Sequence, residues 1–264
     1  LYADGVTGGD VLEDGWHENR IPVFESVLNE AAGAEKVRFP RDLSDVEEAV
    51  DRIANDDPFV PMPPSSGGRY DDRFATLRRK HGTYWRWVRP VFGGATRSEA
   101  NARIEFRPIP GQPTVQDTIA VQAAFAGLME ALPRREHPIL EQAWGTARDN
   151  FYAAVREGLQ ADVEWIDGGG EATTDTRKLY DDLLDHATLG LRAAGCSQSE
   201  AEEVLRPLRW RVESGLTPAG WKRRKIHEWL EAGRSLSAAI HGMQREYVES
   251  QSETLLSGSF EDWR

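Results

Sequence analysis

Cysteine is almost absent from this 264-residue chain: Cys196 stands alone, which excludes an internal disulfide and any cysteine-rich metal site. It follows a glycine at an expected helix end, so an inert, buried or half-buried thiol is predicted there. Long apolar runs are missing too. None approaches the eighteen or so residues of a membrane span, and no charged-then-apolar leader precedes a small-residue cleavage site. These absences read as a protein of the cytoplasm. Positive charge is in deficit, with 32 Lys and Arg against 44 Asp and Glu and a net charge of -12. Nucleic acid and anionic membranes reward a basic surface, so neither is expected as the main partner, and any phosphate site must be local. Lysine is scarce beside arginine. With the abundant acids this fits a high-salt proteome, and a GC-rich genome equally.

What is present supports a folded core, since 39% of the residues are hydrophobic. Residues 1–20 are rich in Gly and Asp and read as loop or as strand and turn. A short helix is expected over 22–32. Another is expected over 44–54, where Ser44 and Glu47 form a capping box and Val46, Val50 and Ile53 recur at helical spacing. Prolines and glycines between 56 and 72 exclude regular structure and leave a loop or lid. Two strands, 83–91 and 102–108, joined through Gly93-Gly94, read as an antiparallel pair.

From Pro113 onward every long segment has helical period. Helices are expected over 114–132, with an apolar stripe of Val115, Ile119, Phe125, Met129 and Leu132, and through Trp144 to Val155, stopping at Gly158. Others run from Thr174 to Gly195, from a capping box at Ser197 and Glu200, from Thr217 before Pro218, and over 235–256. The chain thus divides into a mixed α/β part, 1–112, and a helical part, 113–264.

The stretch richest in chemistry is Arg103-Ile104-Glu105-Phe106-Arg107. Strand alternation puts Arg103, Glu105 and Arg107 on one face and Ile104 and Phe106 on the other, which is expected to be buried. A carboxylate between two guanidiniums can ligate a hard cation while the arginines neutralise phosphoryl oxygens; a salt-bridged surface strand has the same pattern. Upstream, alternation sets Trp85, Trp87 and Arg89 against Tyr84, Arg86 and Val88. Arg86 and Arg89 therefore share a site only if a bulge intervenes. His137, His186, His227 and His241 lack metal or triad spacing. The basic run Lys222-Arg223-Arg224-Lys225 is expected on a solvated helix face or in an intersubunit salt bridge.

In order along the chain, Trp87-Val88-Arg89-Pro90, the Arg103–Arg107 strand, Gln112-Pro113-Thr114-Val115 and Ala123-Ala124-Phe125-Ala126-Gly127-Leu128 form a series. Asn150-Phe151-Tyr152-Ala153-Ala154 and Gly158-Leu159-Gln160-Ala161 complete it. This series resembles the glutamate–cysteine ligase type 2, or carboxylate–amine ligase, family. The resemblance implies an α+β protein with a glutamine synthetase-like antiparallel sheet, in whole or part, and a large C-terminal helical region. It implies ATP- and Mg²⁺-dependent joining of glutamate to cysteine or another amine through an acyl phosphate, as in glutathione biosynthesis. By match to the family, Glu105 would ligate Mg²⁺, Arg107 would contact the transferring phosphoryl group, and Arg89 would hold phosphate or substrate carboxylate. Arg86 and Arg103 are candidates for the nucleotide. Arg20, in His17-Glu18-Asn19-Arg20, loosely matches a family arginine near the substrate.

One element of the family pattern, a Gly-x-Glu-x-Glu strand that supplies further metal carboxylates, is missing from residues 1–264. Because the first residue is Leu1, that strand is expected upstream, with His17, Glu18 and His81 as further possible ligands. The competing expectation is a non-catalytic binding or assembly module on the same scaffold. Homo-oligomerisation is left open.

Overall fold

The computed structural model describes residues 16–32, 37–56, 80, 85–136, 139–166, 170 and 172–263. The expectations for 1–15, for the 56–72 loop beyond Asp56, and for Thr83, Tyr84, His81 and His137 fall outside them. The described residues form two compact units, one of residues 20–110 and one of residues 16–19 with 111–263. The fold is α+β with a large helical region.

In the first unit, helix α1 (Arg20–Ala32) leads to the two-residue strand β1 (Val37–Arg38). The Asn29 side chain stands in for a strand partner, accepting from Val37 N at 2.9 Å and donating to Val37 O at 3.0 Å. Helix α2 (Val46–Asn55) follows. Its N-cap is Asp45 rather than Ser44: Asp45 accepts from Glu48 N, and Glu48, not Glu47, reaches back to the Ser44 backbone N–H. The expected Ser44–Glu47 box does not form; Glu48 is held instead between the Ser44 N–H and Arg52 at the next turn.

Strand β2 (Trp85–Arg86) pairs in parallel with β1. A bend at the buried Trp87 separates β2 from β3 (Val88–Gly93), so the expected single strand is two. Strand β3 pairs antiparallel with β4 (Asn101–Phe106), with Arg89 opposite Glu105 and Pro90 opposite Ile104. Gly94 makes the turn at φ 130°, where an added Cβ would sit 2.6 Å from Glu99 O. Ile104 and Phe106 are 49% and 41% exposed, against the expectation of burial. The ribbon has two strands, and no described element covers that face as the alternation pattern alone assumes.

The second unit is helical. Helix α3 (Val115–Ala131) starts on the Thr114 cap, α4 (Trp144–Glu157) ends at Gly158, and the hairpin β5 (Trp165–Ile166) and β6 (Ala172–Thr173) precedes α5 (Thr176–Ala193). Helix α6 (Gln198–Ser214) opens on the Ser197–Glu200 capping box, α7 (Pro218–Glu231) on Thr217 with Pro at its start, and α8 (Leu236–Thr254) on Ser235. One core joins α3, α5 and α6 through Ala124, Leu184, Ala187, Leu191, Ala201 and Leu205. A second gathers Trp221, Ile226, Met243, Phe260 and Trp263, with Tyr247 and Trp263 edge-on at 4.9 Å.

Helix α3 does not bury the predicted stripe. Val115, Ile119 and Met129 are exposed, whereas Asp117, Ala120, Ala124 and Gly127 are buried. The cause is a close crossing with α5. A Cβ on Gly127 would lie 2.2 Å from Ala187 O, and one on Gly190 would lie 1.9 Å from Gly127 O. Only small residues fit that contact, and larger apolar side chains are displaced to other faces.

At the start of α3, Asp117 is fully buried and accepts from Arg211 Nη2 at 2.6 Å, Thr114 Oγ1 at 2.6 Å and Phe260 N at 2.9 Å. Arg211 also donates to Gln112 at 2.9 Å and lies 5.5 Å from the Phe260 ring. Residues 16–18 dock on the end of α4, where His17 N and Glu18 N donate to the Arg156 and Val155 carbonyls. His17 is thus a helix-end packing residue, its pKa lowered by burial and then by Arg223. Cys196 is exposed, because it lies beyond the last turn of α5. The basic run is absorbed within the unit: Lys222 lies 4.2 Å over the Tyr247 ring, and Lys225 bridges Glu228 and Glu246.

Candidate active site

Antiparallel register sets Arg89 of β3 opposite Glu105 of β4, on one face of the ribbon. Arg89 Nε donates to Glu105 Oε2 at 2.6 Å, and Arg107 Nε stands 3.8 Å from the same oxygen. The strand continues one step past β4, with Arg107 N donating to Trp87 O at 2.9 Å, and this anchors the Arg107 backbone.

Arg20, at the start of α1, closes the group. Its Nη2 donates to Arg107 O at 2.8 Å and its guanidinium lies 5.5 Å from the Trp87 ring centroid. Trp87 is itself held edge-on to Phe24 of α1. Two guanidiniums thus flank one carboxylate, and the third, that of Arg20, sits beside Arg107. The Arg107 pKa is lowered, first by burial, then by the Arg89 charge, with Glu105 opposing and Arg20 adding to the shift. The shift reflects burial of the guanidinium first and its cationic neighbours second, and an arginine stays charged in proteins, so an anionic ligand would meet fixed positive charge there.

Two predicted residues are not in the group. Arg86 is buried and donates to Phe39 O at 3.2 Å, on the β1–β2 side, and no described bond ties it to Glu105. Arg103 shares the face of Glu105 in β4 but is exposed and donates to Asn101 Oδ1 at 3.1 Å. Sequence reasoning missed Trp87 as the ring that holds Arg20; its only signal was an indole beside the Val-Arg-Pro element.

The cluster suits phosphate and carboxylate oxygens, which three guanidiniums can hold by charge-assisted hydrogen bonds. For a divalent cation the fit is partial. Glu105 offers one carboxylate, and no group of three or more His, Cys, Asp or Glu side chains fit to hold a metal occurs among the described residues. Mg²⁺ is commonly held by one or two carboxylates together with substrate phosphates and water, so Glu105 can serve as one leg. No helix among the described residues is long and apolar enough to cross a membrane.

The fold is α+β, and its strand-borne carboxylate beside arginines has a chemistry suited to anionic groups. The chain belongs to glutamate-cysteine ligase family 2, whose family model matches residues 6–254. The family is one of carboxylate–amine ligases acting on small molecules. No curated protein and no solved structure matches the chain.

Proposed function

We propose that the protein is an ATP-dependent ligase of the cytoplasm that joins the γ-carboxylate of glutamate to the amine of cysteine. A carboxylate oxygen attacks the γ-phosphorus of ATP, the bond from that phosphorus to the β–γ bridging oxygen breaks, and ADP leaves. The amine nitrogen then attacks the acyl carbon of the acyl phosphate; phosphate leaves and the amine gives up a proton. The carrying observation is the meeting of Arg89 and Arg107 at the Glu105 carboxylate, with Arg20 bound to the Arg107 carbonyl beside them.

Bringing a carboxylate to a polyphosphate sets anion against anion, and fixed guanidiniums offset that repulsion without reorganising during the reaction. Arg107 meets the transferring phosphoryl oxygens. Arg89 orients Glu105 and holds phosphate or substrate carboxylate, and Arg20 holds the substrate. Arg103, exposed on the same strand face, is left to the nucleotide. Bound Mg²⁺ would add charge neutralisation between the two anions, with Glu105 as one ligand.

Incubation of the full natural chain with ATP, Mg²⁺, glutamate and a panel of amines is expected to release ADP with one preferred acceptor. No turnover with any amine would overturn the reading. The alternative, a non-catalytic binding module, draws on the lone carboxylate of the cluster; nucleotide binding without turnover would favour it.

A further inference from the structure

A small cleft opens beside the charge cluster, walled by Leu43, by Ala49 and Ile53 of α2, and by Val88, Arg89 and Pro90 of β3. Its volume is about 50 Å³. That is room for about three water-sized groups. Ala49 and Ile53, one helical turn apart, are buried along the inner face of α2, and Leu43 stands half-exposed beside them. The charges at the cleft are engaged. Arg41 pairs with Asp56 at 2.7 Å, Arg52 with Glu48 at 2.7 Å, Arg86 donates to Phe39 O, and Arg89 holds Glu105. The four guanidiniums at the cleft would repel an entering cation, and an anion would lose its water to meet cations that already have partners, whereas an uncharged group can pack against Leu43, Ala49, Ile53, Val88 and Pro90.

Arg89 belongs to both places: its Nε is on Glu105 while the residue lines the cleft. A molecule reacting at the arginine cluster can therefore lodge a side chain here. The donor glutamate, with a charged end and a longer side chain, does not suit the space.

We propose that this cleft receives the side chain of the acceptor amine, and that Ala49, Ile53 and Leu43 set which acceptors are used. The occupant is an uncharged side chain of about two or three heavy atoms, thiol or aliphatic. This assignment rests on the ligase reading above.

The test uses the full natural chain with ATP, Mg²⁺ and glutamate, and compares an acceptor without a side chain with a set of amino-acid acceptors. Hydroxylamine has no side chain and reports acyl-phosphate formation as a hydroxamate. The other acceptors are cysteine, alanine, 2-aminobutyrate and methionine. In Ala49→Leu, which fills the cleft, the ratio of kcat/KM for the preferred amino acid to that for hydroxylamine is expected to fall at least tenfold. In Ile53→Val, which enlarges it by one methylene, the preference is expected to move towards the next larger acceptor by about threefold or more, and this milder variant serves where Ala49→Leu does not fold. Thermal unfolding checks the fold of each. Hydroxamate formation with ratios unchanged in Ile53→Val, or in a folded Ala49→Leu, overturns the cleft assignment alone. No hydroxamate from the unmodified protein removes the ligase reading and the assignment with it.

Discussion

Glu105 shares one carboxylate oxygen between Arg89 at 2.6 Å and Arg107 at 3.8 Å. The pair is partly open to solvent, with the Glu105 side chain 41% exposed, so its contribution to stability is small, about 0–1 kcal/mol. Its contribution to chemistry is expected to be larger. Glu105→Gln keeps the shape and one acceptor oxygen but removes the charge that would ligate a metal. Turnover is expected to drop about a hundredfold or more, with the thermal midpoint nearly unchanged; survival of activity would remove the metal role. Asp117 behaves in the opposite way. Its replacement by Ala leaves Arg211 and the Phe260 N–H buried without their acceptor, while Arg211, its pKa lowered by burial and raised by Asp117, stays charged. The expected cost is about 3–5 kcal/mol by equilibrium denaturation. At this scale the antiparallel pairing of the two strands and the face of β4 that carries Glu105 were legible, while the register that sets Arg89 opposite Glu105 and the exposure of Ile104 and Phe106 were not. The role of Asp117 was not, because Arg211 and Phe260 lie far along the chain and nothing local marks them as partners.

Helix starts were read closely where a side chain caps the backbone, as at Ser197, Thr217 and Ser235, because the cap is a local interaction. At α2 the expected Ser44–Glu47 box gives way to an Asp45 cap, with Glu48 held by the Ser44 N–H and by Arg52. Glu48 carries a carboxyl lowered from 4.5 to about 2, chiefly by the Ser44 backbone N–H and then by Arg52 and the Ser44 hydroxyl. A lowered carboxyl stabilises the folded helix above pH 4.5 and loses that contribution as pH falls towards 2. The stability difference between the unmodified protein and Glu48→Gln should therefore shrink between pH 4.5 and 2, as read by thermal unfolding across that range.

The α3–α5 crossing defeats periodicity for a different reason: the pattern ranks residues by hydrophobicity, while the contact selects them by size. Gly190→Ala is expected to destabilise by about 3 kcal/mol, since the added carbon meets a backbone oxygen that cannot turn aside. Gly145→Ala, in α4 with nothing within 4 Å of the added carbon, should instead stabilise by about 0.5–1 kcal/mol. Equal effects of the two in urea titrations would contradict the crossing.

Over the whole molecule, a net charge of -12 coexists with a local knot of three guanidiniums. Salt should act on the two in opposite directions. Screening relieves self-repulsion of the acidic chain and raises its thermal midpoint, while it weakens the hold of the arginines on a polyanion. Titration of an ATP analogue at rising salt, beside melting curves, is expected to give weaker binding and higher stability together. Composition made the acidity legible. The placement of the exceptions to it depended on strand register and on Trp87, which composition does not encode.

Asp117 also sets an order of events in time. Arg211 is 94 residues further along the chain and Phe260 is 143. At ribosomal rates the first turn of α3 waits roughly ten to thirty seconds for them, its carboxylate still in water. The Asp117 carboxylate therefore gains its last donor only when Phe260 emerges, and a nascent chain stalled before that point holds it by Thr114 and Arg211 alone.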